Sequence, residues 1–79
     1  MTLDVILDSA VERWRASEWE TDDEYGAAVW GVLSGLPDDL TDVAGDPRVI
    51  AAPVVFAARS VAEAVRYAVE GLVMERMAA

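Results

Sequence analysis

The 79-residue chain has no cysteine and no histidine, and it also lacks lysine, asparagine and glutamine. Without cysteine no disulfide supports the core, and neither a thiol nucleophile nor a thiolate metal site exists. Without histidine the commonest general base and the commonest metal ligand are gone. No run of glycines offers a phosphate cradle, and the four serines (Ser9, Ser17, Ser34 and Ser60) have no candidate base. Long apolar runs are also missing. The longest, VIAAPVVFAA at residues 49–58, is closed by Arg48 and Arg59, far short of the roughly 20 residues that cross a bilayer. The opening MTLDVILDSA has no basic leader region. A cytoplasmic protein with no membrane partner is expected.

What remains is apolar and acidic. Hydrophobic residues make up 54% of the chain against a net charge of −9. That balance favours a folded domain over a disordered acidic tail. All six bases are arginine; GC-rich coding gives this composition, and so does the lysine-poor, acidic habit of halophilic proteins. Neither cause explains the distribution. Residues 1–46 hold twelve acids and two arginines, a net of −10, whereas residues 47–79 carry +1. Charge concentrated in one half points to a surface.

The expected fold is all-α: one domain over 1–79, a small bundle of three main helices plus a short connector helix. Leu3, Ile6, Leu7, Ala10, Val11 and Trp14 fall on one face of a helix over about 3–17, with Asp4, Asp8, Glu12 and Arg15 opposite and Thr2 as N-cap. Thr21 and Glu24 have capping-box spacing, so a second helix is expected over 22–34, with Tyr25, Ala28, Val29, Val32, Leu33 and Leu36 inward. Gly26 and Gly31 weaken that helix and predict close packing there. A connector follows, with a helical turn or two starting at Pro37 and ending at Gly45.

In the last third, positions 54, 57, 58, 61, 62, 65, 68, 69 and 72 form one apolar face. A single long helix from Pro53 to about 73 is expected, with Val61, Val65, Ala68 and Leu72 as core. Ser60 and Glu63 offer a second capping box, so a break near residue 59 is the fallback.

The candidate site residues are those the core leaves over. The stretch SEWETDDE places five acids in seven positions, Glu18 to Glu24. Asp22, Asp23 and Glu24 suit a helix start; Glu18 and Glu20 have no such reason. With Asp38, Asp39 and Asp42 of the connector they form an expected negative field, which repels nucleic acid and attracts a basic protein surface. A charge run more often serves only to solvate a face. Trp19 is expected to project away from the Trp14 face and, with Trp30, to stand beside the acids. Phe56, Tyr67 and Met74, with Arg59, form a second strip; small bundles also bury such flanking positions. The literal Asp-Asp-x-x-Asp of residues 38–42 matches a magnesium-binding string of isoprenoid synthases, but a chain this short cannot build their cavity. No metal, cofactor or catalytic residue is expected, and hence no enzyme.

In size, acidity, compact helical content and lack of catalytic equipment, the whole chain resembles phage-encoded inhibitor proteins, including many anti-CRISPR proteins and DNA mimics. The resemblance is one of profile and implies a binder of a basic target, with no residue roles to transfer. A homo-oligomeric interaction module, with the acids serving solubility, is the alternative.

Overall fold

The computed structural model describes residues 2–53 and 58–79. Among them it is all-α, with no strand. The order is α1 (Leu3–Ala16), α2 (Asp22–Ser34), a 3₁₀ turn (Thr41–Val43), α3 (Pro47–Ala51) and α4 (Val61–Ala78). Three main helices and short helical pieces between them match the expected class.

Each main helix starts on a side-chain cap. Thr2, Thr21 and Ser60 accept from the N–H of Val5, Glu24 and Glu63 at 3.4, 3.2 and 3.1 Å, as the sequence implies for a residue with extended backbone before a helix. The buried face of α1 is Leu3, Ile6, Leu7 and Ala10, which follows its apolar periodicity. It packs on α4, where Val65, Ala68, Val69 and Val73 are buried. Val32, Leu36, Leu40, Val43 and Val49 close the core from α2, the connector and α3.

The connector differs from expectation. Pro37 does not start a helix; Asp39 instead accepts from the Thr41 N–H at 3.0 Å and hydroxyl at 2.6 Å, setting up the 3₁₀ turn. Asp38 and Asp39 are therefore not first-turn helix acids. The helix at Pro47 was legible and missed: Asp46 caps it by accepting from the Arg48 N–H at 2.9 Å, and proline occupies its first position.

The single long helix from Pro53 is overturned where the chain is described. Ser60 is extended and caps α4, so α4 starts at Val61 and continues past Glu75 and Arg76 to Ala78. The fallback break is the one found: Ser60 accepts from the Glu63 N–H, while the Glu63 carboxylate accepts from the Tyr67 hydroxyl. Residues 54–57 lie outside the described residues, as does that part of the expected face. At the open end of α4, Val61 is 74% exposed, so it is not core; Val65 and Ala68 are, and Leu72 packs partly buried against them.

The packing of α2 also differs. Val32 is its one buried residue among those described, Ala28, Val29 and Leu33 are half-buried, and Tyr25 is exposed. A Cβ added at Gly26 or Gly31 meets nothing within 4 Å, so the expected close packing there is absent. The buried part of α2 is its C-terminal end, where Arg13 of α1 reaches the Val32 carbonyl.

Candidate interaction surface at the α1–α2 corner

At the end of α1, the Ser17 hydroxyl donates to the Arg13 carbonyl at 2.9 Å and the Ser17 N–H to the Trp14 carbonyl at 3.0 Å. Ser17 is extended, so the chain leaves the helix two residues before Trp19, and the helical wheel no longer governs where Trp19 points. It folds back. The Trp14 and Trp19 rings stack with centroids 4.5 Å apart, and Tyr25 meets them edge-on at 5.6 and 5.2 Å. The expected projection of Trp19 away from Trp14 is thus wrong, and Tyr25 belongs to the corner rather than the core. Trp19 keeps 39% of its surface exposed and Tyr25 46%.

Glu18 and Glu20 flank Trp19 in the chain, and Glu24 precedes Tyr25. Glu18, Glu20, Asp22, Asp23 and Glu24 are all exposed. The Glu24 carboxylate accepts from the Glu20 N–H at 3.1 Å, which holds the turn into α2. Among the described residues none of the five forms an ion pair.

Three acids elsewhere, Asp4, Asp8 and Asp46, are ion-paired. Arg48 pairs with Asp4 at 2.7 Å and Asp46 at 3.0 Å, and Arg76 with Asp8 at 3.2 Å and Asp4 at 3.8 Å. The hydrogen bond from Arg48, and then its charge, hold the Asp4 carboxyl below the usual carboxylate range, and hydrogen bonds from Arg48 do the same for Asp46. Arg48 is correspondingly harder to deprotonate. The Thr41 hydroxyl and N–H lower Asp39. The outer face of α1 therefore contributes less bare charge than its sequence suggests.

The remaining candidates scatter. Arg66 donates to the Pro37 carbonyl at 3.1 Å and so fixes Pro37 at the C-terminal end of α2. Asp38 and Asp39 next to it stand about 20 Å, the length of thirteen helical residues, from the acids that open the helix. The two acid groups are separate patches. Asp42 lies in the 3₁₀ turn, and among the described residues no carboxylates cluster as a metal site. Trp30 sits on the outer face of α2, 69% exposed and without a ring partner among the described residues. Of the other strip, Phe56 lies outside the described residues. Met74 is half exposed, while Tyr67 is half-buried and donates its hydroxyl to Glu63 at 2.7 Å, a bond that raises its pKa.

Concave surface is modest. Among the described residues, a depression of about 500 Å³ opens between α1 and the end of α4 and is lined by Asp8, Glu12, Arg15 and Arg76 among others. It holds both signs of charge and no paired nucleophile and base. Among the described residues no helix is long and apolar enough to cross a membrane. Compared with protein-family models, with curated proteins and with solved structures, the chain matches none.

Proposed function

We propose that the chain is a small, cytoplasmic, non-catalytic protein that binds and occludes a basic surface of a target protein, as its profile resemblance to phage-encoded inhibitors such as anti-CRISPR proteins implies. One observation carries the reading. The acids of residues 18–24 have no ion-pair partner among the described residues, while Asp4, Asp8 and Asp46 are neutralised by Arg48 and Arg76. Unpaired Glu18 and Glu20 flank exposed Trp19 in the chain and unpaired Glu24 precedes exposed Tyr25, and aromatic side chains are the type that anchors interfaces. A basic partner relieves the crowding of like charge and is steered to it. The acids of the connector add a second, more distant point of contact.

The test is kinetic. Replacing Glu18, Glu20, Asp38 and Asp42 by their neutral amides should leave helicity unchanged. It should slow association, in low salt, with a basic partner recovered from a host lysate. Asp39 is left out because it holds the Thr41 turn, and Asp22, Asp23 and Glu24 because they support the start of α2. An unchanged rate would reduce the acids to a solubility device. The second reading, a homodimer, draws on the uncovered outer face of α2 around Trp30; a sedimentation mass twice that of the chain at micromolar concentration would favour it.

A further inference from the structure

We infer that the Trp14–Trp19–Tyr25 stack is an arginine-reading site: a guanidinium of the partner lies against the exposed surface of Trp19 and Tyr25 while the acids of residues 18–24 pair with it. The inference rests on the acidic-binder reading and adds which side chain the corner selects.

The argument starts from the rings. An aromatic face carries negative charge density and attracts a cation placed over it, tryptophan most strongly. Here two indoles stack at 4.5 Å with a tyrosine edge-on to both, yet Trp19 and Tyr25 remain 39% and 46% exposed. The stack organises the rings without covering them. Five carboxylates lie within the seven residues that include Trp19, so the field at the rings also favours a cation.

The chain supplies no cation of its own to the site. Among the described residues no arginine stacks on these rings. Of the two nearest in sequence, Arg15 lines the depression with Asp8, Glu12 and Arg76, and Arg13 is committed to the Val32 carbonyl at 3.0 Å. Charge complementarity therefore calls for an external base. A second copy of this chain, at −9, would bring like charge to like and is the wrong occupant.

Arginine fits better than lysine for a geometric reason. The guanidinium is planar, weakly hydrated and forked, so it stacks flat on a ring while its edge donates to a carboxylate. A lysine ammonium is a strongly hydrated point charge and gains mainly from the field. Discrimination between the two thus separates ring stacking from bulk electrostatics.

The experiment titrates the full-length protein with two synthetic peptides of equal length and charge, one alternating arginine with glycine and one alternating lysine with glycine. Binding is read by calorimetry in low salt. A preference of roughly threefold to fivefold for the arginine peptide is expected, the ratio that an exposed cation–π contact supports. In Trp19→Leu and Tyr25→Leu the preference should fall to parity while both peptides still bind. In Trp30→Leu, outside the stack, it should persist. Equal binding of both peptides by the unaltered protein overturns the arginine site and leaves the acidic surface standing. If neither peptide binds, both are overturned. Circular dichroism of each variant guards against reading an unfolded chain as a lost site, and the unaltered protein alone keeps the comparison decisive.

Discussion

Two arginines do work in this fold that is neither solvation nor ion pairing. The C-terminal turn of α2 contains no basic residue; the Gly35 and Leu36 N–H groups donate to the Val32 and Leu33 carbonyls at 3.3 Å, and the negative dipole end draws further donors from elsewhere. Arg13 of α1 donates to the Val32 carbonyl at 3.0 Å, and Arg66 of α4 to the Leu33 and Pro37 carbonyls at 3.2 and 3.1 Å. Both guanidiniums are part-buried and tie α2 to its neighbours at the one end where it is packed. Arg66→Met keeps the aliphatic stem and removes both hydrogen bonds. It should destabilise the protein by about 1.5–3 kcal/mol, the range for hydrogen bonds to a charged group, as read by urea denaturation. Arg48 acts differently. Its hydrogen bonds lower Asp4 and Asp46 in the fold. A carboxylate depressed in the fold and released on unfolding adds stability above its unfolded pKa of about 4 and loses it as pH falls through the folded value. The melting temperature of the unaltered protein should exceed that of Arg48→Gln most above about pH 4, with the gap closing as pH falls further. A gap independent of pH would mean that Arg48 contributes by packing alone.

At the scale of the element, the helices whose signals are local were legible and those set by chain geometry were not. Thr2, Thr21 and Ser60 each announce a cap, and each caps. The periodicity of α1 predicts its buried face because the helix is covered along that face. In α4 the same periodicity misleads. Pattern alone continues the apolar face from Val54 through Val61, but periodicity contains no term for where a helix starts, and the Ser60 cap sets that start. Val61 then falls at an uncovered end. Asp46–Pro47 carried both the cap and the first-position proline of α3, a signal present in the residues. Trp19 was misplaced because its direction depends on the helix ending at Ala16, a boundary that the pattern does not fix to one residue. The glycines of α2 give a direct test of its packing. Neither Gly26 nor Gly31 has positive φ or a neighbour that a methyl would strike. Gly26→Ala and Gly31→Ala should therefore each stabilise the isolated protein by roughly 0.5–1 kcal/mol through helix propensity. Gly35→Ala should not share the gain, since its Cβ would come within 3.0 Å of the Arg13 Nε and disturb the guanidinium that holds Val32. A loss of stability at Gly26 or Gly31 would mean that α2 is covered in a way this packing does not include.

Over the whole molecule, the charge asymmetry of the sequence is partly consumed by folding. The C-terminal half sends Arg48 and Arg76 back to Asp4, Asp8 and Asp46, so the unpaired acids of the N-terminal half fall mainly at the α1–α2 corner and beyond the far end of α2. The ion pairs are well exposed, and exposed pairs contribute little, on the order of 0–1 kcal/mol each. Against them stands an excess of nine negative charges on 79 residues, whose mutual repulsion acts over about 10 Å at 0.1 M salt and is screened above it. The repulsion outweighs the pairs, so adding sodium chloride from low concentration to about half molar, where screening is nearly complete, should raise the melting temperature. Magnesium chloride at the same ionic strength should give no large further rise, because among the described residues no carboxylates converge on a metal position. A falling melting temperature with sodium chloride would show the Arg48 and Arg76 pairs to be the dominant electrostatic contribution. A large excess effect of magnesium would make Asp38, Asp39 and Asp42 a cation site after all. The same salt series, run with the arginine peptide present, should weaken binding while it strengthens the fold. That opposition is the signature of a surface whose acids are held unpaired in the free protein and paired in the complex.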